Sequence, residues 1–195
     1  MNEHGQQETR IHEDRKPIST PPEEASSLVT RSKGDYALRA RLGTGSFGEV
    51  YLAEEQQTGR QVALKLLLPN VAHNSEIARR FRSVVERIQA LKHPNIITVY
   101  GYEIVEGRPT IVMEYVPGKS LRQILRERGT LPVDEVLDIA VQLCDALIYA
   151  HDNGFIHRDV KPDNILITPD AVVKLGDFDI AKVTTSSTLT RMGVR

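Results

Sequence analysis

The sequence of 195 residues has only one cysteine and almost no net charge, and these two features exclude several classes of protein. The single Cys144 excludes an intrachain disulfide, and its apolar helical surroundings predict a small core residue rather than a catalytic thiol. The 25 Lys and Arg nearly balance 26 Asp and Glu, so no basic field favours nucleic acid or an anionic membrane. No histidine pair has zinc-ligand spacing with cysteines, and no apolar run is long enough to span a membrane. These absences predict a soluble, cytoplasmic protein.

The first part of the chain, residues 1–34, is rich in Glu, Gln, Ser, Thr, Pro and Lys and has few large apolar residues. The stretch "KPISTPPEEASS" cannot bury enough apolar surface to offset the entropy lost on ordering, which predicts a disordered N-terminal arm. Such an arm serves as a linker, as a target of phosphorylation, or as a passive tail. From Asp35 onward the pattern is that of a folded domain.

The folded part begins with strand-like alternation and continues with helical periodicity. "QTGR" predicts a hairpin turn, and "IITVYGYEI" and "PTIVMEYV" predict further strands. Three helices are predicted: one stopped by Pro94, a short one from the cap Ser120 to Gly129, and a longer one ending at Asn153 and Gly154. The residues predicted on the buried face of the first helix are Ile77, Phe81, Val84, Ile88 and Leu91. Those predicted to face inward from the third are Val136, Ile139, Leu143, Leu147 and Ala150. The order predicts an α+β fold with two unequal parts.

Glycine is concentrated in "LGTGSFGEV", where Gly43, Gly45 and Gly48 have a spacing that dinucleotide-binding domains share. Here a second strand follows instead of a helix, so the glycines would cap a hairpin. A glycine hairpin can lay backbone amides over phosphates because no Cβ obstructs the approach. An ordinary flexible hairpin is the alternative.

The next strand, "VALKLLL", carries Lys65 within an apolar run and on the same face as Ala63. A lysine buried there needs an anion, and the small Ala63 side chain leaves room for a flat ring. A surface lysine whose stem lies along the strand is the alternative.

Two later motifs, "HRDVKPDN" at residues 157–164 and "GDFDIAKV", complete a set of four in a fixed order. Together they resemble the protein kinase family, in the bacterial type of eukaryotic-like serine/threonine kinases, from about Tyr36 to the end of the chain. The resemblance implies a two-lobe fold with a β-rich N-lobe at 35–116 and a partial, helical C-lobe at 117–195. It also implies ATP and Mg²⁺ as ligands and a protein with Ser or Thr hydroxyls as substrate.

Phosphoryl transfer needs charge neutralisation, an in-line hydroxyl and positioned metal ions, and the resemblance assigns residues to each task. Lys65 would hold the α- and β-phosphates, Asp159 would accept the hydroxyl proton, and Lys161 would offset charge on the transferred group. Asn164 and Asp177 would bind Mg²⁺. The residues implied to cover the phosphates are Gly43, Thr44, Gly45, Ser46, Phe47, Gly48 and Val50. The position of Lys161 is similar to that in serine/threonine kinases rather than tyrosine kinases.

The stretch "IVMEYVPGKSL" is implied to form the hinge between the lobes. Backbone groups of Glu114 and Val116 would bind adenine, with Met113 at the back of the pocket. The residues implied to enclose the ring are Leu42, Val50, Ala63 and Leu166, although simple core positions explain the same residues. Arg158 would pair with a phosphate on the segment after Asp177. The candidate acceptors there are Thr184, Thr185, Ser186, Ser187, Thr188 and Thr190, and a solvated polar loop is the alternative.

Three features depart from the family pattern. Val84 stands where the family has a glutamate that pairs with the strand lysine, and Glu86 lies about 200° further around the helix. Asp179 replaces a glycine after the metal-binding Asp177, at a cost of about 1 kcal/mol or more where the backbone requires glycine angles. By resemblance, Arg195 lies inside the activation segment, so the helices at 120–128 and 133–151 would expose apolar faces.

These departures leave open whether the chain is a fragment, needs a partner that covers the exposed face, or is a degenerate product. The leading hypothesis is a serine/threonine protein kinase with an incomplete catalytic domain. A nucleotide-binding pseudokinase or regulatory module is the second. A small-molecule phosphotransferase is the third, and Arg158 and Lys161 argue against it.

Overall fold

The computed structural model describes residues 31–33, 35–45, 48–69 and 75–178. Residues 1–30 of the predicted arm lie outside these ranges. So do Ser46 and Phe47 of the glycine hairpin, Asp179, and the candidate acceptors between Thr184 and Thr190.

The N-terminal half forms a six-stranded antiparallel sheet in the order β1-β2-β3-β4-β6-β5. Its strands are β1 Arg31–Lys33, β2 Tyr36–Thr44, β3 Gly48–Glu55, β4 Gln61–Leu67, β5 Val99–Val105 and β6 Arg108–Glu114. The arm prediction included residues 31–33, and there it is wrong, because they pair with β2. The hairpin predicted at "QTGR" is confirmed: β3 and β4 are joined by a turn in which Gly59 has φ of +71°.

The first helix, α1 Ser75–Ile88, packs between the two halves of the molecule. It ends six residues before Pro94 rather than at it, and the chain turns at Gln89 and Ala90. Its buried side chains are Phe81, Val85 and Ile88, whereas Val84 is half-buried. Leu91 is buried as predicted, but from the turn after the helix.

The second half contains a small antiparallel sheet in the order β7-β8-β9 and two helices. Its elements are β7 Lys119–Ser120, α2 Leu121–Arg128, α3 Val133–Asp152, a 3₁₀ helix Pro162–Asn164, β8 Ile165–Ile167 and β9 Val173–Leu175. The predicted ends of α2 are confirmed. Ser120 forms a capping box with Gln123, and Gly129, with φ of +75°, follows the last turn. The order of these elements, a sheet-rich first half followed by a second half with two helices and a small sheet, confirms the α+β fold class.

Helix α3 departs from two predictions. Val136 is 47% exposed, and Cys144 is exposed rather than part of the core. The helix is apolar on more than one face, so its single buried face could not be chosen from periodicity alone. The face that packs inward contains Ile139, Leu143, Ala146, Leu147 and Ala150.

The prediction that both helices expose apolar faces fails for α2, whose Leu121, Ile124 and Leu125 are half-buried, and is confirmed for α3. The exposed apolar side chains of this helix are Val133, Val136, Leu137, Val141 and Ile148. Across the described ranges, no helix is both long enough and apolar enough to cross a bilayer.

The main core lies where α1, the edge of the large sheet, α3 and the small sheet meet. Its buried members include Phe81, Val85, Ile88, Val99, Ile111, Ala146, Ala150, Ile165, Val173 and Leu175. Leu175 also joins the two halves through the backbone, because its N–H donates to Asn95 and its carbonyl accepts from Ile97. The end of β9 is thereby fixed against the segment that leads into β5, just before Asp177.

Candidate active site

The register of the large sheet brings the glycine hairpin beside the strand lysine. Gly43 on β2 faces Val50 on β3, Val50 faces Lys65 on β4, and Lys65 faces Ile111 on β6. Residues opposite each other in antiparallel strands have neighbouring side chains. Three predicted site positions, Gly43, Val50 and Lys65, therefore form one row across the sheet.

The glycines of the hairpin differ in what surrounds them. A Cβ on Gly43 would have no atom within 4 Å, and Gly45 donates its N–H to the carbonyl of Gly48 at 2.8 Å. A Cβ on Gly48 would lie 2.5 Å from the carbonyl oxygen of Leu66 on the neighbouring strand. Close strand packing is therefore sufficient reason for glycine at position 48.

Lys65 is paired with Asp177. Its Nζ lies 2.6 Å from Asp177 Oδ1, and the side chains are 11% and 38% exposed, respectively. The two residues are 112 positions apart in sequence. Asp177 has φ of +62°, a left-handed conformation that is uncommon outside glycine but less costly for Asp and Asn than for most residues. The predicted phosphate-binding lysine and the predicted metal ligand thus share one location.

Helix α1 provides no carboxylate to this pair. Glu86 is exposed and bonds Arg82 at 2.7 Å, as expected from its angle around the helix. Val85 and Ile88, together with Asp177, line a small cavity of about 20 Å³ that is mainly apolar. The departure at Val84 is therefore accompanied by a different arrangement, in which Asp177 is the partner of Lys65.

The stretch "HRDVKPDN" forms a compact polar cluster before β8. Lys161 Nζ donates to Asp159 Oδ2 at 2.7 Å. The amide of Asn164 donates to the same oxygen at 3.0 Å and to the Asp159 carbonyl at 2.8 Å. The hydrogen bond from Lys161 lowers the pKa of the Asp159 carboxyl below its usual value, and the Asn164 amide adds to the effect. Asp159 is thus held ionised, which is the state that can accept a proton.

The same contacts relate this cluster to Asp177. The hydrogen bond to Asp159 raises the pKa of Lys161, and the nearby charges of Asp163 and Asp177 raise it further. Gly176 donates its N–H to the carbonyl of Asn164 at 2.9 Å. The Lys65–Asp177 pair and the cluster of Asp159, Lys161 and Asn164 therefore face a common region.

His157 was not predicted as a site residue, yet it joins the two loops. It is 1% exposed, its Nε2 lies 2.7 Å from the Gly176 carbonyl, and its Nδ1 accepts from the Asp159 N–H at 3.3 Å. Its ring packs against Phe178 with centroids 4.4 Å apart. A histidine at the start of a polar run was the only signal in the sequence, and its partner lies 19 residues further on.

The predicted adenine-binding residues lie on several strands of both sheets and on the segment after β6. Ala63 faces Met113 across β4 and β6, and Val116 is 7% exposed. The Glu114 N–H donates to the Thr98 carbonyl at 2.8 Å, which leaves the Glu114 carbonyl as the backbone group to consider for adenine. Leu42 is 46% exposed on β2, and Leu166 is half-buried on β8. The roles of these residues remain predictions.

Arg158 is exposed and has φ of +66°. It lines a cavity of about 140 Å³ with Val84, Arg87, Ile88 and Phe155, between α1 and the loop after α3. Its predicted phosphate partners lie outside the described residues. Its role also remains a prediction.

A family comparison agrees with this arrangement. The model of the protein kinase domain matches residues 36–194, so the chain belongs to the protein kinase family. The resemblance inferred from the four motifs is therefore confirmed.

Individual relatives are bacterial serine/threonine kinases. The chain is 42% identical over 154 residues to a probable serine/threonine-protein kinase of Clostridium perfringens, covering 79% of this chain and 22% of the relative. It is 39% identical over 160 residues to serine/threonine-protein kinase PrkC of Bacillus subtilis, covering 82% and 25%. The crystal structure of the Mycobacterium tuberculosis PknI kinase domain is similar with a TM-score of 0.68 and 37% identity, covering 77% of this chain and 62% of that one. The chain thus spans about a quarter of the length of these curated relatives.

Proposed function

We propose that this chain binds Mg·ATP and transfers the γ-phosphoryl group to Ser or Thr hydroxyls of a protein substrate in the cytoplasm. The observation that supports it most is the joint placement of the Lys65–Asp177 pair and the Asp159–Lys161–Asn164 cluster. Phosphoryl transfer depends on positioning and charge stabilisation, and these two groups supply cations, a base and metal-ligand oxygens together.

Asn164 and Asp177 suit Mg²⁺. The Asn164 nitrogen is used in two hydrogen bonds, so the amide oxygen is the atom it can offer to a metal. Within the described ranges, no cluster of three or more His, Cys, Asp or Glu could hold a metal ion. Mg²⁺ in phosphotransferases is held by one or two protein oxygens together with phosphates and water. When bound, Mg²⁺ would neutralise charge on the β- and γ-phosphates.

The other roles follow from position. Lys65, in the same row of the sheet as Gly43 and Val50, would bind phosphate oxygens. Lys161 would offset charge on the transferred group. Asp159 would accept the proton from the substrate hydroxyl, because it is ionised and exposed enough for a hydroxyl to reach. Backbone groups of Glu114 and Val116 would bind adenine, with Met113 at the back of the pocket. The residues proposed to enclose the ring are Leu42, Val50, Ala63 and Leu166.

A nucleotide-binding protein without catalysis is the second candidate. It is supported by the finding that α1, within its described residues, places no carboxylate beside Lys65. Asp177 therefore both pairs with this lysine and is the proposed metal ligand. In that case nucleotide would bind while transfer fails.

The test is transfer of label from radioactive ATP to a generic basic protein, with Asp159→Asn as the variant and Asp170→Asn as the matched control. Asp170 lies exposed in the turn between β8 and β9. We expect Asp159→Asn to lower incorporation by roughly 10²- to 10⁴-fold, as for loss of a general base, with Asp170→Asn at the wild-type rate. Equal incorporation by wild type and Asp159→Asn would remove Asp159 from the reaction. A thermal shift with Mg·ATP but no incorporation would select the second candidate.

A further inference from the structure

We propose that the Glu114 side chain is a positioning group for nucleotide binding, because its carboxylate holds the adenine-binding backbone through Lys174 and Thr98. We call these three residues the Glu114 clamp. The inference rests on the proposed function, which assigns only backbone atoms of Glu114 and Val116 to adenine. The inference adds a role for the Glu114 side chain, whose carboxylate contacts Lys174 and Thr98.

Both carboxylate oxygens of Glu114 are engaged. Oε1 lies 2.7 Å from Lys174 Nζ, and Oε2 accepts the backbone N–H of Thr98 at 3.0 Å. The Glu114 N–H in turn donates to the Thr98 carbonyl at 2.8 Å. Glu114 is therefore tied to Thr98 from both its backbone and its side chain, and to Lys174 by an ion pair. A carboxylate with two such partners cannot rotate without breaking one of them.

The clamp reaches the other parts of the site through β9. Lys174 is paired with Leu166 of β8 and lies three residues before Asp177. Its neighbour Leu175 exchanges backbone hydrogen bonds with Asn95 and Ile97, immediately before Thr98. The ion pair therefore connects the end of β6 with the strand that leads into the proposed metal ligand.

Among the ion pairs of the described residues, the clamp is shielded from water more than most. The Lys174 and Glu114 side chains are 16% and 23% exposed, whereas Arg128 and Glu135 in a comparable pair are 46% and 36% exposed. A pair with restricted solvent access is less screened, and loss of one partner leaves the other charge poorly compensated. Breaking the clamp should therefore displace the residues after Glu114 rather than merely expose a surface charge.

Two other contacts hold this stretch: the Val116 side chain is buried, and β7 pairs with β8 from Lys119 onward. The backbone groups of Val116 are less constrained. In the described part of the chain, neither the N–H nor the C=O of Val116 has a hydrogen-bond partner. These are the groups proposed to meet adenine. The position of these two groups depends on how the chain is held before and after Val116. Before Val116, the clamp holds it.

The first experiment measures backbone hydrogen exchange of Glu114, Tyr115, Val116 and Gly118 in the full chain without nucleotide, since Pro117 has no amide hydrogen. The variants are Lys174→Met, Glu114→Gln, which keeps an acceptor for Thr98, and the swapped pair Glu114→Lys with Lys174→Glu. Arg128→Met, which removes the remote pair, is the matched control. We expect several-fold faster exchange in both single variants, partial recovery in the swapped pair and no change in the control. Exchange equal to wild type in folded Glu114→Gln and Lys174→Met would overturn the inference.

The second experiment measures ADP binding by calorimetry in EDTA, and the KM for ATP. We expect the single variants to raise the Kd for ADP and the KM about tenfold, which corresponds to about 1.4 kcal/mol, with a smaller effect on kcat. A lower melting temperature with unchanged Kd and KM would assign the clamp a purely structural role and overturn the inference. Tighter binding after clamp loss would also overturn it. A wild type that binds no ADP would count against the proposed function, while the exchange experiment would still decide whether the clamp positions the backbone.

Discussion

Gly48 provides a direct test of why the hairpin needs glycine. Its strand β3 runs so close to β4 that a Cβ would lie 2.5 Å from the Leu66 carbonyl oxygen and 3.2 Å from the Leu66 carbonyl carbon. Both atoms belong to the backbone of the adjoining strand, which cannot move without straining the ladder on its other side. Gly48→Ala should therefore destabilise the fold, even though the added group is a single methyl.

The expected cost is that of overpacking a tight interior, about 1–3 kcal/mol. For a chain of this length, 1 kcal/mol lowers the melting temperature by about 2–4 °C, so the shift should be about 2–12 °C. Urea unfolding, monitored by circular dichroism, measures the same loss of unfolding free energy. The midpoint should fall while the slope stays unchanged. Gly43→Ala is the matched control, because a Cβ at Gly43 meets no atom within 4 Å. Equal stability of Gly48→Ala and Gly43→Ala would refute the packing argument.

Three further predictions concern side chains. Lys161→Met removes the main cause of the lowered pKa of Asp159, so that pKa should rise towards the ordinary value. The stability that the ionised carboxyl contributes, present above the unfolded pKa, should then disappear at a higher pH on acidification, and NMR titration of the Asp159 carboxyl carbon measures the shift. Ser120→Ala removes the cap of α2 and should cost about 1 kcal/mol in urea unfolding, whereas Ser83→Ala within α1 should not destabilise. Asn95→Leu loses the buried amide bonds to Gln142 and the Val173 carbonyl and should cost about 1–3 kcal/mol, and a loss within experimental error would contradict this.

The proximity of the candidate site residues was more predictable from sequence than the surfaces around them. Short-range geometry explains this proximity: period-2 alternation places Lys65 on a strand, and one short loop brings Asp159, Lys161 and Asn164 together. The capping residues of α2 were likewise local signals. The carboxylate partner of Lys65 could not be predicted from local pattern, because Asp177 approaches through tertiary packing.

The errors have a common physical origin. Val136 and Cys144 were expected in the core, but α3 is apolar on several faces and only contact with other elements selects one. Residues 31–33 have a composition typical of a tail, but they gain a strand because β2 offers an open edge. In each case tertiary contacts outweighed the local pattern.

The pairing of Lys65 with Asp177 and of Lys161 with Asp159 means that every cation in these two pairs already has an internal counter-charge. An anion that binds either lysine must compete with a carboxylate that is already there, so ligand binding is an exchange of partners rather than a simple gain of contacts. The measured affinity will therefore be the difference between two sets of electrostatic interactions, and conditions that weaken the internal pairs will alter it even when no ligand-contacting residue has changed.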